Sequence, residues 1–90
     1  MGFYGVINVL VRFGKVSENT KQEVINNIME FLDLEYLEDE EVSFREENNF
    51  NWLFVDDLKS VLEELKANNK IVEAKIYVWY LEEPDETINI

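Results

Sequence analysis

The sequence predicts an α+β domain of the ferredoxin-like βαββαβ type: a four-stranded antiparallel sheet with both helices on one face. Two segments, Phe3 to Phe13 and Val72 to Leu81, alternate with the period of a strand. Two others carry apolar stripes with the period of a helix. The order of these periods along the chain, with two short strands expected between the helices, gives the class.

The first strand has Phe3, Ile7, Val9, Val11 and Phe13 on one face and Tyr4, Val6, Asn8, Leu10 and Arg12 on the other. Both faces are largely apolar, which suits a central strand that Gly14 ends. Thr20 and Glu23 fit a capping box for the first helix, with Ser17 as an earlier alternative. Val24, Ile25, Ile28, Met29 and Leu32 make its apolar stripe, so the helix is expected to run to about Asp33 or Leu34. Val42 to Glu46 and Phe50 to Val55 are expected as a hairpin about Glu47-Asn48-Asn49, since Asn tolerates left-handed backbone. Asp56 or Asp57 is the expected cap of the second helix, whose stripe is Leu58, Val61, Leu62 and Leu65 and whose end is Asn68-Asn69. Val72 to Leu81 is the final strand. Residues 1–82 thus form a single domain, and residues 83–90 are expected as a short acidic tail after Pro84.

Charge is the outlier. Twenty acidic residues against eight basic ones and no histidine give a net charge of −12 over 90 residues. Nucleic acid and anionic membrane are excluded as direct partners, because binding phosphate requires Lys and Arg to displace counterions. No stretch of about 18 apolar residues suggests a membrane span. The absence of Cys excludes disulfides and thiolate metal sites and fits a cytoplasmic setting. Catalysis is not expected: His and Cys are missing, the glycines form no phosphate loop, and Asp56-Asp57 and Glu63-Glu64 suit a helix cap and a solvated helix face. No cofactor is expected. Glu38 to Glu41 lack the spacing of a calcium loop, so no metal site is expected either.

The charge is concentrated in residues 33–41, DLEYLEDEE, where six of nine side chains are carboxylates and no base intervenes. A solvated loop that keeps the chain soluble would look like this. So would a docking surface for lysines and arginines, and here Tyr36 and Leu37 supply apolar anchors within a charged rim. The expected function is a small acidic inhibitor. It would dock Glu35, Tyr36, Leu37, Glu38, Asp39, Glu40 and Glu41 on a basic nucleic-acid-handling protein, with carboxylates in place of phosphates. Glu82, Glu83, Asp85 and Glu86 would extend the surface. Toxin-immunity, phage anti-restriction and anti-CRISPR proteins act in this manner from small acidic domains; the comparison is one of size and charge alone. The alternative is a regulatory or structural domain that forms a homodimer through the sheet face left open by the helices, expected to carry Tyr4, Val6, Leu10, Tyr77, Trp79 and Leu81. Phe50, Trp52 and Phe54 are expected to face the helices.

Overall fold

The computed structural model describes residues 2–80 and 86–90. The chain runs β1 (Gly2–Arg12), α1 (Glu18–Met29), β2 (Leu34–Leu37), β3 (Glu41–Asn51), α2 (Trp52–Ala67), β4 (Glu73–Tyr80) and β5 (Glu86–Asn89). The strands form one antiparallel sheet in the order β2-β3-β1-β4-β5. The expected four-stranded βαββαβ sheet is therefore incorrect, for three separate physical reasons.

The acidic run itself supplies a strand. Residues 34–37, expected beyond a longer first helix, pair with β3 as an edge strand, with a bulge between Leu34 and Tyr36. An edge strand leaves its carboxylates in water, so the charge costs little there and blocks pairing with a further strand.

The expected strand over Phe50–Val55 is instead the end of β3 and the first turn of α2. The Asn51 side chain accepts from Phe54 N at 2.9 Å and caps the helix, five residues ahead of the expected Asp cap. The helical repeat of Val55, Leu58, Leu62 and Leu65, all buried, outweighs the strand preference of Phe, Trp and Val. The Asn48-Asn49 turn disappears with that strand. Both lie in β3, and the one non-glycine residue of positive φ among those described is Asn69, at 59°, just past the end of α2.

Part of the acidic tail also folds. β5 pairs with β4 from Lys75↔Asn89 to Val78↔Glu86, and Ile88 packs against the core. Leu81, Glu82, Glu83 and Asp85, expected in the last strand, the open face or the tail, lie outside the described residues.

Elsewhere the patterns hold. Ile7, Val9 and Val11 of β1, Val42 and Phe44 of β3, and Ala74, Ile76 and Val78 of β4 form one buried face. Val24, Ile25 and Ile28 of α1 and the buried stripe of α2 join it in one core, so both helices cover the same side of the sheet. Ser17, not Thr20, caps α1: its side chain accepts from Thr20 N. The helix stops at Met29, which is 48% exposed and does not belong to the buried stripe. Phe3, Trp52 and Tyr80 close one end of the core, with ring centroids 4.8–5.7 Å apart.

Gly5 leaves no room for a side chain between β1 and β4. A Cβ there would lie 2.1 Å from the Trp79 carbonyl oxygen. Gly5→Ala is expected to lower unfolding stability by about 2 kcal/mol or more, and Asn51→Ala by about 1 kcal/mol through loss of the cap. Urea unfolding of each variant measures both.

Candidate functional site: an acidic hairpin at the sheet edge

The carboxylate run folds into the β2–β3 hairpin, and its tip is anchored from outside. Glu38 N donates to Glu41 O at 2.8 Å, leaving Asp39 and Glu40 as the turn. Neither has positive φ, so the turn is not the primed type that tight hairpins favour. The carbonyls of both residues are taken up by other elements. Phe13 N, just beyond β1, donates to Glu40 O at 2.8 Å, and Lys21 Nζ of α1 donates to Asp39 O at 2.6 Å. At the other end of the hairpin Arg45 N donates to Asp33 O at 2.9 Å.

Four side-chain bonds hold the hairpin from the open face. Ser43, the buried polar residue of β3, donates from Oγ to Glu35 Oε1 at 2.8 Å. Asn8 Nδ2 of β1 donates in turn to Ser43 Oγ and to Phe44 O. Tyr36 OH donates to Glu41 Oε2 at 3.0 Å. That bond raises the Tyr36 pKa above its ordinary value of 10.0, helped by partial desolvation and by the negative charges of Glu41, Glu38 and Glu35.

The acids of this hairpin far outnumber the bases near it, Lys21 and Arg12. Among the described residues no Lys or Arg forms an ion pair with Glu35, Glu38, Asp39, Glu40 or Glu41. Arg12 lines the same open depression, about 470 Å³, as Glu38 to Glu41, but its Nε pairs with Glu73 at 3.5 Å. Glu35 to Glu40 are all exposed. The two apolar anchors are exposed as well, on opposite faces. Tyr36 is beside Glu41 on the open face. Leu37, 53% exposed, borders a hollow of about 260 Å³ with Glu18, Lys21, Gln22 and Ile25 of α1. The expected binding residues thus come together around a ridge, not on one flat surface. Among the described residues no three acidic side chains are grouped so as to hold a metal ion.

The residues that fix the ridge, Asn8, Lys21 and Ser43, escaped the sequence reading. Ser43 carried a signal, a hydroxyl between the buried residues Val42 and Phe44. Lys21 carried none, since its partner is a backbone carbonyl 18 residues away.

The second expected surface is the open sheet face. Tyr4, Tyr77 and Trp79 lie there, with Val6 and Leu10; Tyr4 is 45% and Trp79 37% exposed. The rings of Tyr77 and Trp79 stack at 5.8 Å and 10°. Of the aromatic residues expected on the helix side, Phe50 is buried there, while Trp52 and Phe54 belong to α2.

No helix of the described residues is long and apolar enough to cross a membrane. No family model matches the chain, and no curated protein or solved structure matches it.

Tyr36 provides a local probe. Its neutral phenol is the form the native hairpin favours, so it is expected to ionise only above pH 10.0, and the stability it lends is lost as pH rises through that higher value. Glu41→Gln removes the charged acceptor and is expected to move the titration back toward the ordinary tyrosine value. Ultraviolet difference titration of tyrosinate, with Tyr36→Phe as the assignment control, measures it.

Proposed function

We propose that this chain is a small non-enzymatic binding protein whose acidic hairpin docks on a basic surface of a nucleic-acid-handling protein and inhibits it. One observation carries the reading: a cluster of carboxylates with no ion-pair partner among the described residues is held in place by bonds from two other parts of the chain, β1 with the residue after it and α1. A run serving only solubility gains nothing from a fixed geometry. A docking surface gains affinity, because less freedom is lost on binding.

Glu38, Asp39 and Glu40 at the tip meet the cations that otherwise hold phosphate. Tyr36 and Leu37 pack on either flank of the contact. Glu35 and Glu41 are partly committed to Ser43 and Tyr36 and serve more to shape the ridge. The net charge of −12 speeds encounter with a basic partner. The partner is a protein, bound without direct contact to nucleic acid or membrane, in a cytoplasmic setting of the phage anti-defence or toxin-immunity kind. Ser43 offers no competing catalytic reading. It is 2% exposed, and its hydroxyl already donates to Glu35 and accepts from Asn8.

The test is affinity capture from host lysate at low and high salt, followed by titration calorimetry on the captured protein. The comparison bait carries Glu38→Gln, Asp39→Asn and Glu40→Gln, which removes charge but spares the bonds made by Glu35 and Glu41. Wild type is expected to retain a basic nucleic-acid-binding protein, to lose it in high salt and to block its nucleic-acid binding. The triple variant is expected to bind roughly 30-fold more weakly, at a few tenths to 1 kcal/mol per carboxylate. Equal binding by both baits, or binding that salt strengthens, would overturn the reading.

A further inference from the structure

The open face of the sheet differs from the rest of the molecule in charge. Among the described residues, by register and side-chain contact, it carries Glu35, Glu41, Glu47 and Glu73 against Arg12, Arg45 and Lys75. Four acids facing three bases leave this face almost neutral, in a chain of net charge −12. Among the described residues the other acids lie mainly on the hairpin tip and the helices. Two copies approaching tip to tip or helix to helix meet an excess of acids on both sides. Approaching sheet to sheet, they meet a balanced set of both signs.

The face also has the composition of an interface. Tyr4, Val6, Leu10, Tyr77 and Trp79 give it apolar area, and the Tyr77 and Trp79 rings already stack on each other, which lowers the cost of ordering them on binding. Its extent is adequate. Five strands spaced about 4.8 Å apart, with β4 about 26 Å long, give on the order of 600 Å². A standard interface buries about 800 Å² on each partner. The remaining polar groups, Asn8, Ser43, Asn49, Thr87 and Asn89, are small enough for two sheets to pack at the usual separation of about 10 Å.

We infer that the open face binds a second copy of this chain, sheet against sheet, in a reversible two-fold dimer. The hairpin tip at Asp39 and Glu40 lies past the paired strand residues, whereas Glu35, Tyr36 and Glu41 share the open face, so dimerisation leaves the tip free and covers the Tyr36 flank of the ridge. The inference stands apart from the inhibitor reading, and salt acts on the two in opposite directions. Screening weakens attraction to a basic partner but relieves the repulsion between the acidic bodies of two copies.

Sedimentation velocity over micromolar to near-millimolar concentration, at low and high salt, is the test. Wild type is expected to form dimers in that range and to form them more tightly in high salt. Trp79→Glu and Tyr4→Glu, tested separately, are each expected to weaken the dimer at least tenfold. Leu53→Glu, a change at a 73% exposed position on α2, leaves it intact, as does the triple variant of the hairpin tip. Circular dichroism and urea melts confirm that each variant is folded. Wild type that stays monomeric at every concentration and salt, or a dimer that Leu53→Glu breaks while both face variants keep it, would overturn the inference. A monomer whose Trp79 emission shifts on adding a different protein would also overturn it and assign the face to that protein.

Discussion

The structure depends on the row of β1 side chains that faces the helices. Ile7, Val9 and Val11 are fully buried, and each has a neighbour on both sides: Val9 lies between Phe44 and Ile76, Val11 between Val42 and Ala74. That row belongs to the same core as the buried stripes of both helices. It is also the reason β1 is central, since a strand buried on one face and half-buried on the other needs ladders on both edges. The helices add no independent scaffold. Their stripes are buried because this row gives them a surface to cover.

Against that frame the acidic hairpin is a local problem with a local solution. Carboxylates this close repel one another, and their repulsion favours an open chain. Water and salt weaken it at an exposed edge. What remains is opposed by backbone bonds, which do not depend on charge, and by one lysine directed at a carbonyl. The lysine is not spent on neutralising a carboxylate of the tip. The geometry is thereby fixed while the field stays negative.

Much of this was legible in the residues, and the failures have specific causes. The faces of β1 and β4 follow from period-two alternation, because burial on one side acts on every second residue. The stripe of α2 followed from its spacing, and its end from the residue type of Asn68-Asn69. The start of α2 did not, because Phe50, Trp52 and Phe54 alternate like a strand. Tertiary burial of Val55 decided the matter for a helix. β2 and β5 are four residues each, too short for periodicity to register, and both exist because a longer neighbour offers an unpaired ladder. The residues of the candidate site were evident from composition. Its anchoring was not, because Asn8, Lys21 and Ser43 act across long sequence separations.

The joint between β3 and α2 has a consequence for how such a chain can change. Asn51 is the last residue of the strand and the cap of the helix, and Trp52 begins α2 with no connecting segment. Each helical residue turns the axis by about 100°. One residue gained or lost here would swing Val55, Leu58, Leu62 and Leu65 off the sheet together, while a longer strand end would flip Phe50 to the wrong face. Length variation among descendants of this sequence therefore has to fall elsewhere, for example in residues 13–17, which join β1 to α1. The junction acts as a ruler that locks the phase of a helix to the phase of a strand.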